Sequence, residues 1–253
     1  MASLLFSLAY WAYLAITSMV LYVGALGLCA ATAALDRNRV LLHRYTCWWA
    51  RLYLRCLPGC RIRVEESEKV AAKRAYVLVA NHQSMTDIMA LSALSVPFKW
   101  VSKKEAFRLP CIGWNMYLNQ YVSVDRGNVR LVRQTMERCQ RWLERGVPLM
   151  MFPEGHRSPD GEIKEFHTGA FKMACTCGCA VVPIVVDGTL PIYRGFRVSA
   201  FPGTITIRVL DPLLPEEAGQ RPERLRDIVH QRMTRALADI RQGKSDAATA
   251  AVR

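Results

Sequence analysis

Residues 76–87 read Tyr76-Val77-Leu78-Val79-Ala80-Asn81-His82-Gln83-Ser84-Met85-Thr86-Asp87. Five apolar residues form a short buried-strand signal, a polar turn follows, and the stretch through Leu94 is compatible with a helix. The same order recurs along the chain. Further candidate strands are Phe98–Ser102, Tyr121–Val124, Val147–Phe152, Ala180–Val186 and the alternating Thr204–Leu210. An amphipathic helix with Val129, Val132, Met136, Cys139 and Leu143 on one face ends at Gly146, and another begins near Pro222. Strands interleaved with helices predict an α/β fold, a mostly parallel central sheet flanked by helices. Such sheets bind ligands beyond the strand ends, so chemistry is sought in the polar residues that follow each strand.

His82 and Asp87 are five apart, about 140° on a regular helix. They can meet only if His82 sits in the turn and Asp87 in the first helical turn. There the carboxylate can hold one ring nitrogen, set the tautomer and leave the other nitrogen to take a proton. Other strand ends supply Lys103-Lys104, Val124-Asp125-Arg126-Gly127 and Phe152-Pro153-Glu154-Gly155-His156-Arg157-Ser158. Cations gathered around a base fit an anionic substrate, most naturally a phosphate, since guanidinium binds its oxygens bidentately. Glycines such as Gly155 let the backbone approach a ligand closely.

These residues resemble the 1-acyl-sn-glycerol-3-phosphate acyltransferases. Four blocks occur in that family's order: Asn81-His82-x-x-x-x-Asp87; a block ending in Asp125-Arg126; Phe152-Pro153-Glu154-Gly155-x-Arg157-Ser158; and Val181-Val182-Pro183-Ile184. The resemblance implies a glycerol-phosphate acyltransferase-like fold and transfer of an acyl group from acyl-CoA or acyl-carrier protein to lysophosphatidic acid. It implies His82 as general base oriented by Asp87, with no acyl-enzyme. Arg126, Glu154 and Arg157 would hold the glycerol phosphate, with Gly155 beside them and Lys104 as a further candidate. Three positions depart from the family's pattern: His156 where Thr is usual, Gln120 where Gly is common, and His167 where a basic residue is frequent. They leave open another acceptor, a lyso-ornithine lipid or another lysophospholipid. A non-catalytic module that binds anionic membrane lipids is a reading from a different class. It gives no reason for the His82/Asp87 pair.

Composition sets the surroundings. Residues 1–35 carry no charged side chain, so all 34 basic and 21 acidic residues follow them. As one helix this run would extend roughly 50 Å, against about 30 Å of bilayer hydrocarbon. Seven arginines and a single acid lie in 36–64, and such basic flanks stay on the cytoplasmic side. Leu41, Leu42, Tyr45, Trp48, Trp49, Leu52, Tyr53 and Cys56 repeat with helical period, with Arg44, Arg51 and Arg55 on another face. That pattern suits a headgroup-layer helix in contact with anionic membrane lipids, or a helix packed on the domain. Residues 1–60 are therefore expected to form a membrane anchor, 61–242 an acyltransferase domain facing the cytoplasm, and 243–253 a disordered tail.

Several classes are disfavoured. The net charge of +13 alone suggests nucleic acid, but no nucleic-acid motif accompanies it. No Gly-x-Ser-x-Gly elbow supports a lipid hydrolase. Nine cysteines without framework spacing argue for reduced thiols. Cys175, Cys177 and Cys179 lack a second ligand pair at zinc spacing, so packing is preferred, and neither a metal nor another cofactor is expected.

Overall fold

The structure is a computed structural model and describes residues 2–70, 74–125, 129–194, 197–199 and 203–250. Its strands are β1 (Cys60–Glu65), β2 (Tyr76–Ala80), β3 (Lys99–Lys103), β4 (Val122–Val124), β5 (Leu149–Met151), β6 (Ala180–Asp187), β7 (Tyr193–Arg194), β8 (Arg197–Val198) and β9 (Gly203–Val209). The α-helices are α1 (Ala2–Ala31), α2 (Val40–Arg55), α3 (Thr86–Leu91), α4 (Ile112–Leu118), α5 (Val129–Glu144), α6 (Gly169–Cys177) and α7 (Pro222–Ala250). Seven strands form one sheet in the order β1-β9-β6-β2-β5-β3-β4. Within this sheet every strand pairing among the described residues is parallel except β6 with β9, and β7 and β8 form a separate antiparallel pair, so the expected mostly parallel α/β sheet is what the chain forms.

Strand β2 is buried along its whole length, which is why its sequence is continuously apolar. Its side chains alternate between two cores. Tyr76, Leu78 and Ala80 join Tyr10, Leu14, Trp49 and Tyr53 from α1 and α2. Val77 and Val79 join Phe171 of α6 and Leu225, Val229 and Met233 of α7. The two N-terminal helices thus share a core with the sheet. Helix α1 buries Ser7, Tyr10, Leu14, Ser18 and Ala25, a stripe at helical spacing, and the Tyr10 hydroxyl donates to the Tyr53 carbonyl at 3.1 Å. Asp36 caps α2 by accepting from the Val40 and Leu41 amides at 2.7 and 2.8 Å. Buried Lys99 ties the same corner together, donating to the carbonyls of Asn38 and Asn119 at 2.8 and 2.6 Å.

Four features differ from expectation. Arg61 and Arg63, read as part of the basic membrane flank, belong to β1, an edge strand paired with β9; their exposed guanidiniums alternate with partly buried Ile62 and Val64. Only part of the apolar face expected on α2 faces outward: Leu41 and Trp48 are exposed, whereas Leu42, Trp49 and Tyr53 pack inward. Helix α4 carries no strong periodicity and was not anticipated. The last helix passes Gly243 and continues to Ala250 instead of ending in a disordered tail, because one glycine costs only about 1 kcal/mol and the residues after it are rich in the strong helix former Ala. Residues 251–253 of that tail lie outside the described residues.

Candidate active site

The Asn81-to-Asp87 turn leaves the C-terminal end of β2 and enters α3. His82 lies in the turn and Asp87 is the second residue of α3. His82 Nδ1 is 2.8 Å from Asp87 Oδ2. The same oxygen accepts the backbone amides of Gln83 and Ser84, at 2.6 and 2.8 Å, and the other oxygen accepts the Thr189 hydroxyl. An ionised carboxylate can only accept, so Nδ1 carries the proton in this pair and Nε2 is left with a free lone pair. The imidazole lies flat on Phe152, centroids 4.0 Å apart and planes 9° from parallel, and Phe152 leans on Trp100. Ring rotation is thereby blocked on one face. Asn81 extends the β2–β6 ladder with its side chain: its amide donates to the Val186 carbonyl and its oxygen accepts the Val186 amide.

Glu154 is buried at the end of β5 and clamps the turn. Oε1 accepts the His82 amide at 2.7 Å and Oε2 the Lys164 amide at 3.0 Å. Burial pushes its carboxyl above the usual range, opposed by those two amides and by His82. The Ser158 amide closes the frame on the His82 carbonyl at 2.8 Å. Gly155 lies between them at φ 73°, a left-handed conformation that a side chain would strain.

A cleft of about 1210 Å³ opens beside His82. Its polar lining includes His82, Lys103, Glu105, His156, Arg157 and His167. Its apolar lining includes Val132, Met136, Cys139, Met151 and Met173. His82, Gly155 and Arg157 thus line one space. Lys104 does not line it: Lys104 is paired with Asp125 at 2.5 Å, and its neighbour Lys103 takes the place on the wall. Arg126 lies outside the described residues. Gln120 adopts φ 57°, a left-handed conformation that glycine enters most readily. Cys175 and Cys177 end α6 and Cys179 precedes β6, with Gly178 between them at φ 59° as the helix stop. Thr189 and Phe152 escaped the sequence reading as partners of the His82/Asp87 pair. Thr189 stands only two residues beyond β6, and no motif or spacing marks it.

A histidine held by a buried carboxylate at the end of a parallel strand, beside a cleft with both polar and apolar lining, is the arrangement of an acyltransferase-class site. Residues 61–187 match the acyltransferase family, and this chain belongs to it. It is 33% identical to a 1-acyl-sn-glycerol-3-phosphate acyltransferase of Chlamydomonas reinhardtii, over 83% of this chain and 64% of that protein. It is 38% identical to the chloroplastic 1-acyl-sn-glycerol-3-phosphate acyltransferase of Arabidopsis thaliana, over 56% of this chain and 39% of that one. The chain therefore spans less than two thirds of the length of either relative. The fold is that of the 1-acyl-sn-glycerophosphate (LPA) acyltransferase PlsC from Thermotoga maritima, with a TM-score of 0.74 at 24% identity over 95% of this chain and 96% of that one.

Proposed function

We propose that the chain transfers a fatty acyl group from an acyl thioester, acyl-CoA or acyl-carrier protein, to the free hydroxyl of 1-acyl-glycerol-3-phosphate. The product is phosphatidic acid. The observation that carries this reading is the His82 ring, bonded through Nδ1 to Asp87, in the wall of a cleft that Arg157 and several apolar side chains also line. The acceptor hydroxyl gives its proton to His82 Nε2 as its oxygen attacks the thioester carbonyl. The tetrahedral intermediate collapses, the C–S bond breaks, and the departing thiolate takes the proton from the imidazolium. No acyl-enzyme forms. Because a thioester is already activated, positioning and one proton transfer are what the site must add.

Arg157, with Arg126, binds the phosphate. The acyl tail occupies the wall formed by Val132, Met136 and Met173. Glu154 acts through the backbone of His82, and Lys104 through Asp125, so both are positioning residues in this mechanism. Residues 1–60 serve as the membrane anchor and 61–242 as the transferase domain, on the cytoplasmic face. With one side of α1 buried on the domain, α1 and α2 lie along the membrane surface, and the cleft meets lysolipid at headgroup depth.

Assay of the full chain against a panel of lysolipids, each with acyl-CoA and acyl-carrier protein, tests the reading. Preferential acylation of 1-acyl-glycerol-3-phosphate is expected. Preference for lyso-ornithine lipid or another lysophospholipid would reassign the acceptor, and no transfer to any of them would overturn the activity.

A further inference from the structure

Helix α1 rests in a cradle. Tyr45 of α2 donates its hydroxyl to the Leu21 carbonyl at 3.0 Å, and a β-carbon at Gly24 would lie 2.5 Å from the same hydroxyl oxygen. Tyr22 meets the other wall, its ring centroid 5.5 Å from Trp114 of α4. Two positions apart on a helix is about 200°, so α2 and α4 flank α1 on opposite sides. Between the flanks α1 presents an uncovered stripe of Leu4, Leu8, Ile16, Met19, Val23 and Leu26.

The outer surface of α4 and the residues before it is apolar as well. Leu109 is 48% exposed, Ile112 44%, Trp114 47% and Tyr117 61%. Four such residues within nine positions, next to α1 where Trp114 meets Tyr22, are more than the scattered exposed leucines of an ordinary surface. The segment is also held rigidly. Asn115 and Asn119 donate to the Thr46 hydroxyl of α2, at 3.0 and 2.9 Å. A β-carbon at Gly113 would lie 2.4 Å from the Phe107 carbonyl oxygen, so α4 is pressed against the turn that leads out of β3. Cys111, at φ 60°, is held in a strained conformation at the start of the helix.

We propose that the segment Leu109–Tyr117 is a second membrane-contacting element, seated in the same leaflet as α1 through Leu109, Ile112, Trp114 and Tyr117. The occupant is lipid, because the segment adjoins the largely uncovered apolar helix α1 and carries exposed Trp114 and Tyr117, residue types that prefer the interface. A footprint confined to α1 and the adjoining α2 leaves the domain free to roll about the axis of that pair. An off-axis contact at α4 stops that roll. Since α4 follows β3, whose last residue Lys103 lines the cleft, the contact fixes the height of the cleft mouth over the headgroups.

Two measurements on the full chain test this. The first compares wild type with Trp114→Phe on phosphatidylcholine–phosphatidylglycerol vesicles, with and without bromine on the acyl chains. Bromination should quench the part of the emission that Trp114 contributes. A Trp114 contribution unaffected by bromination, or protected in a concentration-dependent dimer, overturns the proposal. The second rests on the acyl-transfer reading and uses Ile112→Asp. Its kcat/KM should fall about tenfold for long-chain lysolipid in vesicles, the cost of placing a charge where apolar area is buried. With a water-soluble short-chain acceptor it should stay within about twofold. Equal losses on both acceptors, or none on either, overturn it. Absence of activity in wild type would count against the acyl-transfer reading alone, because the quenching result needs no turnover.

Discussion

Thr189 donates its hydroxyl to Asp87 Oδ1, the carboxylate oxygen that His82 does not use. Asp87 is fully buried, and Oδ2 already accepts two amides and the ring. Without Thr189 the second oxygen would lose the one side-chain donor it has among the described residues, in a place water does not reach, which costs about 1–3 kcal/mol. Thr189→Val should lower kcat about tenfold or more, with Thr189→Ser close to wild type. A valine variant that turns over at the wild-type rate would remove the hydroxyl from the mechanism.

His82→Ala should reduce transfer at least about a hundredfold, the usual contribution of a positioned general base, and leave vesicle binding unchanged. Near-normal activity in that variant would end the general-base assignment.

For Arg157→Ala and Arg126→Ala the expected change is in acceptor use. KM for 1-acyl-glycerol-3-phosphate should rise about tenfold or more, as a charge-assisted phosphate contact of about 1.5–3 kcal/mol is lost. An effect confined to the donor KM would place these guanidiniums elsewhere.

Met136 lines the cleft from α5. Met136→Trp should shift donor preference toward shorter acyl chains, because the added ring occupies space that the last methylenes would need. Chain-length profiles measured with a series of acyl-CoA donors check this, and an unchanged profile would exclude that wall as the tail site.

His43 supplies a pH prediction. It is buried in α2, its Nδ1 2.8 Å from the Tyr121 hydroxyl, and burial, with Lys99 and Arg44 nearby, lowers its pKa from 6.5 to about 3. A folded-state value below the unfolded one means that the unfolded chain binds the proton first as pH falls. The stabilisation is complete above about 6.5 and is lost as pH drops toward about 3. Denaturant titrations should show the stability advantage of wild type over His43→Gln shrinking between pH 7 and pH 4. A constant difference across that range would mean that His43 does not stay neutral.

The continuous apolar runs at 76–80 and 180–186 announced interior parallel strands because both of their faces are buried. Strand β1 stayed hidden because it lies at the sheet edge, where Arg61 and Arg63 project outward and break the apolar signal. Helix α4 stayed hidden for a related reason: Leu109, Ile112, Trp114 and Tyr117 are apolar but face outward, so the usual reading of hydrophobic positions as interior fails there.

The order of the four blocks sufficed for the family and the mostly parallel α/β fold, since strand patterns and local turns are written in adjacent residues. The spacing of His82 and Asp87 also limited how they could meet, because five residues allow contact only across a turn into a helix. Tertiary structure alone decided what surrounds that pair. Thr189 reaches Asp87 across 102 positions and Glu154 reaches the His82 amide across 72. Such contacts depend on which strands lie side by side, and β2 lies between β5 and β6 through long-range pairing that no local pattern encodes.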